Sequence, residues 1–266
     1  MKPILLVRNQ HMSKYERNFA ERYFDVCESR MACVDRLVIG RYSVTPCYDE
    51  LERDLSLIGA RLVNTFEQHR WIPSFDYYDA VRDYTPETWT EETFRYCAYE
   101  GPFVVKGKLR SKKVDWATRM FAPTKDDALR LAALLKEDSE IAEQGVVYRR
   151  YVPLRTYEVG RNGLPYANEW RFFYFGRTLL SHAFYWSISD AAPQAEVDAA
   201  CLEKANEIAA IVADHATFFT LDLAETADGR WILIEINDGQ TSGPSEHDLD
   251  ELYRNLRRTA ERTADA

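Results

Sequence analysis

Four features are missing from this 266-residue chain, and each absence excludes a class of protein. No apolar run approaches the roughly 20 residues that a bilayer-spanning helix needs. The opening MKPILLVRNQ is apolar over too short a stretch for a signal peptide and reads as a first strand. The five cysteines (Cys27, Cys33, Cys47, Cys97 and Cys201) are scattered and lack C-x-x-C spacing. That argues against a disulfide framework or a zinc site and fits a reducing, cytoplasmic setting. Positive charge is short as well: 34 Lys and Arg against 43 Asp and Glu leave a net charge of -9. Broad electrostatic binding to nucleic acid or to an anionic membrane is disfavoured, although a local basic cleft is compatible with it. Finally, there is no internal repeat and no low-complexity segment.

What is present is globular: 46% hydrophobic and 29% charged residues can form a sizeable core. Residues 4–7, 36–40 and 60–64 read as strands, and 47–59 as a helix ended by Gly59. This α/β alternation predicts a small open sheet with helices. Residues 85–98 read as a helical connector and 102–106 as a strand. The stretch 122–137 reads as a helix capped by Thr124, with Ala128, Leu131, Leu134 and Leu135 on its apolar face. Residues 145–153 form another strand, and 168–186 a hairpin turning at Gly176-Arg177. A helix over 194–213 buries Val197, Cys201, Ala205, Ile208 and Val212. The polar tail after Leu256 is expected to fray.

The segment FFTLDLAETADGRWILIEIN holds the strongest local signal. Asp228-Gly229 is a two-residue hairpin turn. Counting outward, Leu221 faces Ile236, Leu223 faces Ile234, and these make an apolar face with Phe219 and Ile232. On the other face Asp222 falls opposite Glu235, and Thr220 opposite Asn237. Two opposed acids destabilise a sheet unless a cation lies between them. Oxygen donors of this kind suit Mg2+ beside phosphate oxygens. A solvated polar face is the alternative, and a bulge would break the pairing.

Asp222, Glu235 and Asn237, followed by Asp238-Gly239-Gln240-Thr241-Ser242-Gly243, resemble the metal-binding end of the ATP-grasp superfamily. PFVVKG is similar to the strand whose lysine, here Lys106, contacts nucleotide phosphates. VVYRRYVP resembles the strand linking the two lobes, whose backbone meets adenine at Arg150, Tyr151 and Val152. NEWRFFYFGRTLLSHAFYW resembles the strand pair bearing a phosphate-contacting arginine, here Arg171. KGKLRSKKVDW resembles a flexible segment, with Ser111, Lys112 and Lys113 closing over the γ-phosphate. The resemblance covers about residues 99–245 and is nearest to RimK-like bacterial and phage ligases related to the assembly chaperone of translation initiation factor two. Two departures stand out. The glycine-rich phosphate loop is absent, and Arg149-Arg150 stand where many relatives carry an acid. Glu158 is the candidate ribose contact.

The resemblance implies an α/β ATP-grasp fold of three parts: an N-terminal α/β domain over 1–98, a small lobe over 99–157 and a large lobe over 158–266. It also implies ATP with Mg2+ (Mn2+ as a substitute) held by Asp222, Glu235 and Asn237. Lys106, Arg171 and Lys113 would serve the transfer. The activity implied is ligation of a small-molecule, peptide or protein carboxylate to an amine, with no membrane or nucleic-acid partner. An ATP-binding assembly role without ligation is the alternative. The residues agree with ligation: Lys and Arg neutralise phosphate, and no Ser-His-Asp or Cys-His set is present. Arg155 and Arg161 are candidates for a substrate carboxylate. His182, opposite Arg171 in the simplest register, is either a substrate contact or structural. Bland readings also exist: a strand-end Lys106, a solvated 106–113 loop, and Arg171 paired with Glu169 or stacked on an aromatic ring.

Overall fold

The computed structural model describes residues 2–8, 12–42, 47–109, 111–186 and 197–264. The first unit contains β1 (Pro3–Val7), α1 (Lys14–Tyr23), β2 (Asp25–Cys27), β3 (Leu37–Arg41), α2 (Tyr48–Ser56), β4 (Arg61–Leu62), α3 (Phe66–Trp71) and α4 (Tyr77–Ala80). Its four strands are parallel, ordered β2-β1-β3-β4. Every residue of β1 and β3 is buried, which is why both sequences run without polar alternation up to the buried, paired Arg41 at the end of β3. The turn after α2 reaches β4 through Gly59, whose left-handed φ of +72° suits glycine. All five cysteines are free thiols.

Next come β5 (Thr88–Thr90), α5 (Glu91–Phe94), β6 (Phe103–Gly107), β7 (Phe121–Ala122), α6 (Lys125–Leu135), α7 (Ser139–Gln144) and β8 (Val146–Arg150). Their antiparallel sheet is ordered β5-β8-β6-β7. Residues 85–98, expected as a helical connector, are helical only over α5, and Thr88–Thr90 form a strand instead. Thr88, Trp89 and Thr90 are good strand formers, and pairing with β8 outweighs the helical spacing. Thr124 caps α6 by accepting from the Asp127 amide at 3.2 Å; Ala128, Leu131 and Leu135 are buried and Leu134 is half-buried.

A two-stranded arm, β9 (Thr156–Val159) and β10 (Pro165–Ala167), leads into β11 (Glu169–Phe175), β12 (Thr178–Phe184), α8 (Ala199–Val212), β13 (Phe218–Glu225), β14 (Trp231–Asp238) and α9 (Leu249–Ala264). The third sheet is antiparallel, ordered β12-β11-β13-β14. Residues 194–196 of the expected helix lie outside the described residues; from Val197 on, all five of its expected core residues are buried. They pack with Phe172, Tyr174, Phe219, Leu221 and Ile236 on one face of this sheet. On the other face, Phe173, Phe175 and Phe218 meet α9 and the parallel sheet. The tail after Leu256 is helical rather than frayed. Leu252, Tyr253, Leu256 and Ala260 recur at helical spacing and are buried, so the polar residues occupy only the outer face.

Two bulges adjust the expected registers. In the last hairpin, Asp222 pairs with Glu235, Leu221 with Ile236 and Thr220 with Asn237, as counted from Asp228-Gly229. The bulge lies between Asp222 and Leu223, on the turn side of the acid pair, so Leu223 faces Leu233 instead of Ile234. Leu233 and Ile236 enter the core, while Ile232 and Ile234 are half-buried on the opposite side. A second bulge, between Phe173 and Tyr174, puts Ala183 opposite Arg171 and His182 opposite Phe172. The His182 ring stacks on Phe172 at 5.8 Å.

One buried side chain joins the first unit to the third sheet. Asn64 donates to the Phe218 carbonyl at 2.7 Å and to Asp238 Oδ1 at 3.0 Å, and its own oxygen accepts from the Thr217 and Phe218 amides at 3.1 and 2.8 Å. Asn64→Ala strands these buried groups. The expected cost is at least about 2 kcal/mol, read as a lower urea midpoint with an unchanged m-value.

Candidate functional site

Two cavities adjoin where the second and third sheets meet. The larger, of about 730 Å³, is lined by Arg171, Tyr185, Glu235, Asn237, Asp238 and the Thr241–Gly243 loop, and by residues of α3, α7 and the 109–115 segment. The smaller, of about 120 Å³, is mostly apolar, with Val104, Trp116, Met120, Leu164, Trp186, Ile232 and Ile234 in its walls. The bulge in β14 delivers the two isoleucines there. Ser111, Lys113 and Glu235 line both cavities and mark their junction.

The charges at this junction are buried and paired. Lys106 projects from β6 and reaches Glu235 on β14, Nζ to Oε1 at 2.5 Å. Burial disfavours both charges, yet their response differs. Burial dominates at Lys106, whose ammonium is held below its ordinary pKa despite Glu235. At Glu235 burial is overcome by Lys106, Lys113 and Arg171, and the carboxyl is pushed down to about 2. Arg171 on β11 grips its cross-strand neighbour Asp222 with two bonds, Nε–Oδ1 at 2.8 Å and Nη2–Oδ2 at 2.7 Å. Its Nη1 donates to the Gly243 carbonyl at 2.9 Å, and its guanidinium lies 4.9 Å from the Tyr185 ring centre. Lys113 Nζ donates to Tyr185 Oη at 2.7 Å. Burial opposes its charge, but Glu169 and Tyr185 hold its pKa above the ordinary lysine value.

The structure thus brings Lys106, Ser111, Lys113, Arg171, Glu235 and Asn237 to the walls of the two cavities. Arg150, Tyr151 and Val152 line the smaller one, with the Arg150 guanidinium over the Tyr99 ring. Asp222 is fully buried, lines neither cavity and has both oxygens on Arg171. Glu158 is exposed on β9 and lines neither cavity, whereas Thr156 two residues earlier lines the smaller. Arg155 pairs with Glu225 at 3.0 Å, and the Arg161 side chain lies outside the described ones. Lys112 reaches Asp138 at 2.5 Å. Among the described residues no group of three His, Cys, Asp or Glu is placed to hold a metal ion. Of the three expected metal ligands, Glu235 and Asn237 line the larger cavity, oxygen donors suited to a hard cation, with Asp222 behind Arg171.

Four participants escape the sequence reading. His69 on α3 and Asp238 at the end of β14 line the larger cavity together, Nδ1 to Oδ2 at 2.8 Å. Arg149 lines the smaller, donating to the Ile234 carbonyl at 2.5 Å and to Thr88 Oγ1 at 3.1 Å. Glu169 is 3% exposed and lines the smaller cavity, with Oε1 buried and unpartnered. Burial, aided by Asp222 and Glu235 and opposed by Lys113 and Arg171, pushes its carboxyl up to about 7. Local spacing does not mark these roles, because the partners that define them, such as Asp238 for His69 and Ile234 for Arg149, are distant in sequence.

A family model described as "ATP-grasp domain, R2K clade family 3" matches residues 65–256. Among solved structures, the chain is similar to a RimK domain ATP-grasp protein from Sphaerobacter thermophilus DSM 20745: 15% identity, TM-score 0.55, covering 99% of this chain and 95% of that one. It is also similar to the D-alanine–D-alanine ligase of Bacillus anthracis solved with ATP, at 14% identity and TM-score 0.61, covering 99% and 97%. A third likeness is to the ATP-grasp ligase PsnB, solved with a precursor variant, Mg and ADP, at 12% identity and TM-score 0.59, covering 98% and 99%. At these identities the likeness is one of fold. No curated protein matches the chain in sequence.

The Glu169 environment makes stability depend on pH. Unfolded, its carboxyl ionises near 4.5; folded, near 7. Between these values the folded chain keeps a proton that the unfolded chain has released, so stability falls as pH rises through this window and stays lower above it. Glu169→Gln cannot titrate. Its melting temperature relative to the parent should therefore be higher at pH 8 than at pH 5; an equal difference at both would show that Glu169 titrates normally.

Proposed function

Because the chain belongs to the ATP-grasp R2K clade, family 3, we propose that it is an ATP-dependent ligase joining a carboxylate to an amine through an acyl phosphate. One observation carries this reading: the buried cations and acids at the cavity junction hold each other, Lys106 with Glu235 and Arg171 with Asp222. Mg-ATP brings both signs at once, so it can exchange partners with both pairs and leave no buried charge bare. Glu235 and Asn237, joined by Asp222 as Arg171 turns to phosphate, would hold Mg2+, with Mn2+ as a substitute. Its positive charge would offset the negative charge of the phosphates.

The smaller apolar cavity, with Tyr151 and Val152 in its lining, suits adenine. The phosphates would lie at the junction against Lys106, Ser111 and Lys113. In the larger cavity a substrate carboxylate oxygen attacks the γ-phosphorus, and ADP leaves with the bridging electron pair. The amine nitrogen then attacks the acyl carbon, and phosphate leaves. Lys106, Lys113 and Arg171 stabilise charge throughout; positioning does the rest. Two solved neighbours support the reading: a D-alanine–D-alanine ligase with ATP, and PsnB with Mg and ADP. Small-molecule, peptide and protein carboxylates all remain within the proposed substrate class. An assembly role that only binds ATP leaves the 730 Å³ cavity beside the phosphate site without a use.

Purified protein with Mg-ATP is expected to release ADP and phosphate only when an acid and an amine are both supplied. AMP and pyrophosphate would instead establish adenylation. Glu235→Gln and Asn237→Ala should each weaken Mg-dependent ATP binding by about tenfold or more in calorimetry, with near-ultraviolet circular dichroism reporting an intact fold.

A further inference from the structure

We infer that His69 is a catalytic base: Nε2 binds the attacking amine and takes its proton, while Asp238 holds the ring in place for that purpose. This rests on the ligase reading above and adds the group that completes the second half-reaction. His69 lines the same cavity as Arg171, Glu235, Asn237 and the Thr241–Gly243 loop, where the acyl carbon must be exposed to a nucleophile.

The ring is fixed from several sides. Nδ1 lies 2.8 Å from Asp238 Oδ2, and Tyr48 stacks on the ring face at 4.0 Å and 4°. The helix that carries it opens with a capping box between Thr65 and Gln68. Asp238 is itself fixed, with Oδ1 accepting from the Asn64 side chain at 3.0 Å and the Gln240 amide at 2.8 Å. An ionised carboxylate only accepts, so its partner Nδ1 carries a proton, and a ring with no second proton presents Nε2 as an acceptor. The bond to Asp238 is the ring's one hydrogen bond among the described residues.

The other groups lining this cavity are less suited. Lys112, Lys113 and Arg171 are donors. Glu235 is committed to Lys106, and Asp238 to His69, Asn64 and Gln240. Glu140 and Glu143 stand exposed on α7, and Asp115 lies 3.9 Å from Arg119 in a partly solvated pair. His69 is the imidazole of this cavity, oriented by a carboxylate in the manner of a base in acyl transfer. In the step itself the amine lone pair forms the C–N bond. The C–O bond to phosphate breaks with its electrons on phosphate, and the N–H proton passes to Nε2.

The test compares two nucleophiles. The parent is incubated with Mg-ATP, a panel of carboxylic acids, and either hydroxylamine or a panel of primary alkylamines. Hydroxylamine is uncharged at neutral pH and intercepts acyl phosphate without a base. For an acid that yields hydroxamate, His69→Ala and His69→Asn should lower the ratio of amide to hydroxamate by about 10²–10⁴-fold. A pair that merely braces the 238–243 loop would slow both products together, and an unchanged ratio overturns the role of His69 while leaving the ligase reading intact. A parent that forms no hydroxamate from any acid overturns the ligase reading, and the role of His69 with it.

Discussion

Ionised groups buried where β6, β11, β13 and β14 meet impose the constraint on which the site depends. Lys106, Arg171 and Asp222 are each less than 10% exposed, and Glu235 is little more. A charge in such surroundings is tolerated only with a partner. Pairing does not make these residues a source of stability, since apolar replacements of similar volume often do as well or better. On the proposed function their value lies in exchange. A ligand carrying a cation and several anionic oxygens can take over both halves of each pair. The strand order β11-β13-β14 then has a physical reason: it sets Arg171 beside Asp222 and Asp222 beside Glu235 across neighbouring ladders. A one-residue slip in either ladder would turn one of these charges toward the apolar core.

The acid pair was legible in the sequence because a single local feature sets it. Asp228-Gly229 fixes where the hairpin turns, and counting outward places Asp222 opposite Glu235. The bulge between them and the turn was not legible. Its effect is to send Ile234 out and Leu233 in, and the outcome depends on α8 packing against one face while a cavity borders the other. The alternation Ile232, Ile234, Ile236 is thus a real strand pattern read one residue out of phase on its turn side. His182 fails for the same reason, since a bulge near Tyr174 shifts it from Arg171 to Phe172.

Other parts were hidden by distance or by composition. His69 and Asp238 are 169 positions apart, and neither has a neighbour in sequence that announces the other. The last helix is rich in arginine and acids, and its five core residues are easily lost among them. The helical reading of 85–98 is right for its middle, where Thr90 caps α5. What spacing could not show is that the three residues before it belong to the edge of a sheet.

The two sides of the larger cavity are built differently, and this bears on how it would exclude water. The side toward the first unit is braced by buried contacts. Arg41 donates to the Gly239, Gln240 and Ser242 carbonyls at 2.6, 3.3 and 3.1 Å and pairs with Glu16 at 2.7 Å, while the Gln240 side chain meets Tyr48 and the Gly40 amide. At Gly239 a Cβ would stand 2.8 Å from the Phe218 ring, so the chain passes where only glycine fits. The 111–114 segment opposite rests on three contacts with partly exposed groups: Lys112 to Asp138, Lys113 to Tyr185, and the Asn162 amide to the Val114 carbonyl at 2.7 Å. Breaking these costs far less than parting Arg41 from the 239–242 carbonyls. Of the two sides, the 111–114 segment is therefore the one that takes less free energy to displace, and the wall that holds His69 is the more firmly braced.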